Sequence, residues 1–123
     1  MAAVIQASFR FRGRAAHAAA SPHLGRSALD AVELMNVGVN FLREHMPVDA
    51  RIHYAITDTG GSAPNVVQSQ ADVLYVVQTP DIAQVAPLFD RVQDVARGAA
   101  LMTETELSIE IEIEIDSTIR NPA

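Results

Sequence analysis

His17 is flanked by alanines in the stretch FRFRGRAAHAAASPHLGRSALDA, which runs from Phe9 to Ala31 and also contains His23. His17 follows an alternating apolar and polar segment and precedes a helix signal, so the pattern places it in a loop between a strand and a helix. An imidazole can donate a proton, or donate a hydrogen bond to an oxygen on which negative charge develops. The residue pattern leaves two interpretations open: a catalytic contact, or a solvated loop histidine.

The spacing of the other histidines does not indicate a metal site. The chain has four, at His17, His23, His45 and His53, and it has no cysteine. No pair lies four residues apart on a helix, and no HExxH segment occurs. We therefore expect this chain alone to bind no metal and to hold no disulfide. The absence of cysteine also fits a reducing compartment, and we expect a cytoplasmic location.

Charged side chains alternate along two segments that resemble strands. The first carries three arginines and the last carries three glutamates, namely Arg10, Arg12, Arg14, Glu110, Glu112 and Glu114. Paired carboxylates can do acid and base chemistry. However, a row of glutamates repels itself, and pairing it with the arginine row across a ladder offsets that repulsion. The pattern therefore favours a solvated, ion-paired face and predicts that the first and last strands are adjacent and antiparallel.

The segment TGGSAPNVV, residues 59–67, is rich in glycine but lacks the Lys-Ser/Thr pair of a P-loop and the spacing of a dinucleotide fingerprint. A tight turn between two strands is the simplest interpretation. Asn65 follows Pro64 and could bond its own backbone in such a turn.

Composition excludes several classes of partner. The chain has 123 residues, of which 49% are hydrophobic, so it can form one domain with a modest core. Its net charge of −6, the absence of tryptophan and an aromatic content of 5% argue against nucleic-acid binding. No apolar run is long enough to span a bilayer, and no signal peptide is visible. We expect a small-molecule substrate and no membrane partner.

Six elements are predicted, in the order strand, helix, strand, strand, helix, strand. They are Val4–Arg14, a helix capped by Ser27 and ending near Met46 before Pro47, Arg51–Thr57, Val73–Val77, a helix capped by Asp81, and Leu107–Ile115. This order predicts an α+β domain of the ferredoxin-like βαββαβ type. Its four-stranded antiparallel sheet would have the order 4-1-3-2, with both helices on one face.

Each helix carries an apolar stripe that predicts its buried face. The first stripe is Ala28, Val32, Met35, Val39, Leu42 and Met46, and the second is Ile82, Val85, Phe89, Val92, Ala96, Ala99 and Met102. Pro87 should kink the second helix or delay its start. The first helix carries further apolar residues at Leu29, Leu34, Val37 and Phe41. These residues predict a self-association surface, at which Gly38 would allow a second backbone to approach. The alternative interpretation is a helix with a broad buried face in the core.

Two segments together resemble a known family. GRAAHAAASPHLGRSALDAVELM and TGGSAPNVV resemble the dimerisation, or lid, domain of the dinuclear-zinc metallopeptidases, which include aminoacylases, desuccinylases and glutamate carboxypeptidases. The resemblance covers nearly the whole chain, from about Val4 to Ser117. It implies that residues 1–123 are a single domain, with a core at about 4–117, excised from a larger zinc-dependent amidohydrolase. The parent would cleave an N-acyl or aminobenzoyl amino-acid amide bond, its zinc would lie in the absent catalytic domain, and this fragment alone would be inactive.

The resemblance also implies roles for individual residues. His17 matches a histidine that reaches into the active site of the partner subunit and contacts the scissile carbonyl oxygen or the tetrahedral intermediate. Asn65 matches a residue that binds the substrate carboxylate. Gln78 lies where several relatives carry an arginine for that carboxylate, and it lacks the charged fork of arginine. A homodimer through the first helix and an edge strand is implied as well.

One alternative from another class is a stand-alone ferredoxin-like module that binds a small molecule or dimerises. Helices at fixed spacing and a dimer edge would suit both hypotheses. A longer reading frame with HxD-type zinc ligands upstream would favour the hydrolase.

Overall fold

A computed structural model describes residues 3–116 and contains the six predicted elements. They are β1 (Ala3–Arg12), α1 (Ala28–Leu42), β2 (Arg51–Asp58), β3 (Gln70–Thr79), α2 (Ile82–Thr103) and β4 (Glu106–Asp116). The sheet is antiparallel with the order β2-β3-β1-β4, which is the predicted order counted from the other edge. The α+β fold class is therefore confirmed. The predicted domain limit at residue 117 lies outside the described residues.

Side-chain alternation explains which face of the sheet the helices cover. Along β1, Ile5, Phe9 and Phe11 are buried beneath the helices. On the neighbouring strand β3, the side chains that pair with these residues, among them Val73 and Val77, are buried beneath the same helices. Because neighbouring residues on a strand point to opposite faces, the intervening polar residues are left on a face without helices. That face carries the charged residues noted in the sequence.

Both helices begin at the predicted caps. The hydroxyl of Ser27 accepts the N–H of Asp30 at 3.0 Å, and the carboxylate of Asp81 accepts the N–H of Ala83 at 2.9 Å. Helix α2 starts at Ile82, so Pro87 does not delay its start. The hydrogen bond that this proline removes is the one to the carbonyl of Ala83, in the first turn. Helix α1 ends at Leu42 rather than near Met46, and a 3-10 turn continues to His45.

The predicted helix faces are mostly confirmed. Leu34, Val37 and Phe41 of α1 are exposed, as expected for residues outside its core stripe. Two members of the predicted α2 stripe are not buried: Ile82 is the first residue of the helix, and Met102 lines an open groove of about 630 Å³ between α1 and α2.

The role predicted for Gly38 is wrong. A Cβ at this position would lie 2.6 Å from Cγ1 of Val95, so Gly38 faces α2 of the same chain. The absence of a side chain lets α1 and α2 approach each other closely. Gly38 therefore makes room for the Val95 side chain of the same molecule.

The predicted pairing of β1 with β4 is confirmed, but only one of the predicted ion pairs forms in residues 3–116. Arg10 lies 3.2 Å from Glu110. Arg12 instead contacts Asp72 on β3 at 3.1 Å, and Arg14 lies beyond the end of β1. The arginine row is therefore shared between β3 and β4, because β1 is a central strand with neighbours on both sides.

A register shift in β4 breaks the row of glutamates. The shift lies between Gln6 and Ala7, after which Glu114 is paired with the buried Ile5. Directly opposed residues share a face, so Glu114 leaves the face of Glu110. Glu112 accepts hydrogen bonds from Ser8 at 2.6 Å and from Gln6. These bonds favour the carboxylate and lower the pKa of Glu112, with the larger effect coming from Ser8.

A polar pair lies within the core beneath α1. The hydroxyl of Tyr75 donates to the amide oxygen of Asn36, and both residues are buried. Burial raises the pKa of Tyr75, which therefore remains a neutral donor. Within residues 3–116, every buried side-chain nitrogen and oxygen has a hydrogen-bond partner. The pair thus fixes α1 over β3 without an uncompensated polar group.

Candidate functional site

Two loops meet at one end of the sheet. Residues 13–27 follow β1, and residues 59–69 connect β2 to β3. The N–H of Ala18 donates to the carbonyl of Asn65 at 2.9 Å, and the N–H of Val67 donates to the carbonyl of Ala16 at 2.9 Å. His17 lies between these bonds and forms an antiparallel bridge with Val66. The structure therefore brings His17 and Asn65, two of the three predicted site residues, into adjacent loops.

The imidazole of His17 is held by its own loop. Its Nδ1 accepts the N–H of Ala20 at 3.1 Å and the N–H of Ala19 at 3.3 Å. A ring nitrogen that accepts two hydrogen bonds carries no proton, so the neutral ring has its proton on Nε2. The side chain is exposed among alanines. His17 thus presents an Nε2–H donor to whatever lies above the loop.

A tight turn places Asn65 beside this histidine. The N–H of Val66 donates to the carbonyl of Ala63 at 3.3 Å, which puts Pro64 and Asn65 in the two central positions of a β-turn. The predicted turn is therefore confirmed. Asn65 is exposed, and its backbone carbonyl is already bonded to the histidine loop.

Gln78 lies elsewhere. It is next to the last residue of β3, where it is paired with Val4 and Arg51. The loops of His17 and Asn65 are beyond the first residue of β3, so the rise of a strand separates Gln78 from them by roughly 25 Å. A single chain does not bring Gln78 to the other two residues. The role predicted for Gln78 stays a prediction.

Gly13 anchors the start of the histidine loop, and sequence reasoning missed it. The N–H of Gly13 donates to Ser69, and the backbones of Arg14 and Arg26 exchange two hydrogen bonds of 2.8 and 2.9 Å. A Cβ at Gly13 would lie 1.9 Å from the carbonyl oxygen of Arg26. Only glycine therefore allows the two ends of the loop to pair this closely.

We expect Gly13→Ala to destabilise the chain by about 1–3 kcal/mol, because a backbone atom must move to admit the methyl group. Denaturant unfolding would measure this change. Gly98→Ala is the matched control, since nothing lies within 4 Å of its added Cβ in the interior of α2. That variant should gain about 0.5–1 kcal/mol from the better helix propensity of alanine. Equal effects of the two variants would contradict the proposed backbone contact.

The described residues contain no cluster of the kind that holds zinc. Within residues 3–116, no three histidine, aspartate or glutamate side chains are grouped so that they could hold a metal ion. His17 and His23 share one loop, but His45 follows α1 and His53 lies on β2.

Neither helix of the described part is long and apolar enough to cross a membrane.

Comparisons with known proteins define the class of the chain. No protein-family model matches it. The aminobenzoyl-glutamate utilization protein of Klebsiella pneumoniae superposes with a TM-score of 0.79 at 26% identity, over 93% of this chain and 29% of that one. Xaa-Arg dipeptidase of Mus musculus is 35% identical over 101 residues, which is 82% of this chain and 23% of the dipeptidase. The chain is thus a homologue of one segment of hydrolases of the amidohydrolase and peptidase family.

A particular relative is more similar than the dipeptidase. A p-aminobenzoyl-glutamate hydrolase subunit of Escherichia coli strain K12 is 57% identical over 117 residues, covering 95% of this chain and 24% of that protein. The chain is therefore a close homologue of a segment of this hydrolase subunit, which confirms the resemblance seen in the sequence. It spans about a quarter of the length of these relatives.

Proposed function

We propose that the chain is the lid and dimerisation domain of a zinc-dependent amidohydrolase, in which His17 acts in the active site of the partner subunit. The observation that carries this proposal is the geometry of the imidazole. Ala19 and Ala20 occupy Nδ1, so Nε2–H is free to donate from a loop that the turn at Asn65 holds in place. A substrate carbonyl oxygen is a suitable acceptor for such a donor.

The proposed reaction is hydrolysis of an N-acyl or aminobenzoyl amino-acid amide bond. The name of the 57% identical relative, a p-aminobenzoyl-glutamate hydrolase subunit, supports this substrate class. Nε2–H of His17 would bond the carbonyl oxygen, and the bond would strengthen as negative charge develops on that oxygen. The side-chain amide of Asn65 would donate to the substrate carboxylate, with Gln78 as a weaker contact if another chain brings it near.

The zinc of the proposed enzyme belongs to a catalytic domain outside this chain. Zinc bound there would lower the pKa of a water molecule and so supply the nucleophile for the proposed hydrolysis. The present chain would provide only the hydrogen-bond donor of His17 and the contacts to the substrate carboxylate. Because the zinc belongs to another domain, this chain should be inactive alone. We place the enzyme in the cytoplasm. A stand-alone binding module is disfavoured because the chain is 57% identical to a segment of a longer hydrolase subunit.

Dimerisation is the second part of the proposal. The chain would form a homodimer through α1 and an edge strand of the sheet. Apolar side chains at Leu34, Val37 and Phe41 remain exposed on α1, with Phe41 71% accessible. Such a surface favours a protein partner. A dimer would also allow the loop of one subunit to reach the active site of the other.

Subunit exchange tests this proposal in the full-length protein. One parent carries His17→Ala with intact zinc ligands, and the other carries a disrupted zinc ligand with His17 retained. Each homodimer should be nearly inactive. Each heterodimer rebuilds one competent site, with its metal from one chain and its histidine from the other, so mixing should restore partial activity. If heterodimers form without any recovery, His17 serves its own chain or has only a structural role.

A further inference from the structure

Helix α2 ends in a backbone conformation that glycine usually provides. Glu104 follows the helix with φ 56° and ψ 44°, and it is the only non-glycine residue of positive φ in residues 3–116. Its N–H donates to the carbonyl of Leu101 at 3.4 Å, and the N–H of Thr105 donates to that of Ala100 at 3.0 Å. This is a Schellman motif, in which glutamate is strained where glycine is not. The strain indicates that the side chain of Glu104 has a role that glycine could not fill.

The side chain of Glu104 reaches the base of the histidine loop. Its Oε2 lies 3.1 Å from Nε of Arg26, and the two side chains are 70% and 33% exposed. An ion pair this exposed contributes little to stability, because water screens the charges and two long side chains must be ordered. Stability alone therefore does not explain the strained glutamate. The explanation must lie in what Arg26 holds in place.

The guanidinium of Arg26 fastens the second half of the histidine loop. Its Nη1 donates to the carbonyl of Gly25 at 2.7 Å and to the carbonyl of His23 at 3.2 Å. A planar guanidinium can contact a carboxylate through one nitrogen and carbonyl oxygens through another, whereas the single ammonium of a lysine cannot. Arg26 therefore joins Glu104 to the 3-10 turn at Pro22–Leu24.

This 3-10 turn is bonded in its turn to the backbone of His17. The N–H of Leu24 donates to the carbonyl of Ser21 at 3.1 Å, and the N–H of Ser21 donates to the carbonyl of His17 at 2.9 Å. Between these residues lie Ala19 and Ala20, whose N–H groups hold Nδ1 of the imidazole. A displacement of the turn would therefore change the direction in which Nε2–H points.

We propose that Glu104 and Arg26 are positioning residues, which fix the direction of the His17 imidazole from the end of α2. This inference rests on the proposed catalytic contact of His17 and gives neither residue a contact with substrate. The path runs from the Glu104 carboxylate through the Arg26 guanidinium to the carbonyl of His23, and then through Ser21 to His17. Because α2 packs on β1 and β3, its end is a fixed point of attachment for the loop.

A double-mutant cycle in the proposed full-length hydrolase tests this inference. Glu104→Gln should lower kcat roughly tenfold with a smaller change in KM, because a displaced donor loses part of its effect on the transition state. In a His17→Ala background the same substitution should have little further effect, since the group that Glu104 positions is absent. Arg26→Lys keeps the charge but loses the planar fork, so it should give the same result in both backgrounds.

Stability measurements separate positioning from a merely structural role. Glu104→Gly removes the carboxylate and the strain together, so the melting temperature should equal or exceed that of the parent. Its kcat should nevertheless fall as in Glu104→Gln. Asp94→Asn is the matched control, because it breaks another exposed ion pair of α2, the one with Arg97 at 2.9 Å, which does not involve the histidine loop. That variant should keep the kcat of the parent.

A loss of kcat that appears only when His17 is present supports the inference. Equal losses in both backgrounds would show that Glu104 acts by another route, and a parental kcat in Glu104→Gln or Glu104→Gly would show that it does not act at all. Either result overturns the inference and leaves the role of His17 intact. If His17→Ala alone leaves kcat unchanged, the proposed function itself fails, and this inference fails with it.

Discussion

Replacing His17 by alanine in the proposed full-length hydrolase should lower kcat by about 10²–10³-fold, which is the usual effect of removing one donor to a developing oxyanion. KM should change less, because the hydrogen bond strengthens as charge develops on the carbonyl oxygen. Stability should hardly change. The His17 ring is exposed, and the loop is held mainly by backbone bonds to Ala16 and Asn65.

His23→Ala is the matched control for this experiment. His23 lies in the 3-10 turn of the same loop, where its backbone carbonyl accepts a hydrogen bond from Arg26. Loss of its side chain leaves that bond intact, so kcat should stay close to that of the parent. Steady-state kinetics on both variants, with zinc content measured, separates the two positions. A rise in KM at constant kcat for His17→Ala would mean that the histidine binds substrate without acting on the transition state.

The fold could be predicted because each element carries its own local signal. Alternation marks β1 and β4, and the caps at Ser27 and Asp81 mark the helix starts. The opposite charges on β1 and β4 added a long-range constraint, and it placed these strands correctly. Only Arg10 and Glu110 form a predicted ion pair: Arg12 contacts Asp72 on β3 instead, and the register shift near Gln6, which depends on how two distant strands fit together, moves Glu114 to the other face. No local pattern reports that fit.

The site was only partly predictable. His17 stood out because it follows a strand and has small neighbours, and the turn at Asn65 has a recognisable sequence. The hydrogen bond from the N–H of Ala18 to the carbonyl of Asn65 brings the two residues together, and it joins two loops that are far apart in the sequence. Gly13 had no distinguishing pattern, since its importance comes from the close approach of the Arg26 carbonyl. A glycine directly after an alternating strand is a weak signal for such a contact.

The proposed catalytic role requires that the loop carrying His17 be rigid. His17 sits on a loop whose two ends are joined by the Arg14 and Arg26 bridge and whose centre is bonded to the turn at Asn65. A donor held this way loses little freedom when it meets the developing charge. The loop in turn depends on β1, which leads directly into Gly13. The core beneath β1 therefore supports the site.

Phe9→Ala in this chain should cost about 3–5 kcal/mol of unfolding free energy, a large part of the stability of a small domain. Phe9 is fully buried on β1, and its ring lies 5.6 Å from that of Tyr75 and 6.2 Å from that of Phe89. Its removal leaves a cavity between the sheet and α2, and the melting temperature should fall by roughly 10–20 °C. Phe41→Ala is the matched control, since the same group is deleted from a side chain that is 71% exposed, and its effect should stay within about 0.5 kcal/mol. Calorimetry on both variants measures the difference, and comparable losses would mean that Phe9 is not the centre of the core.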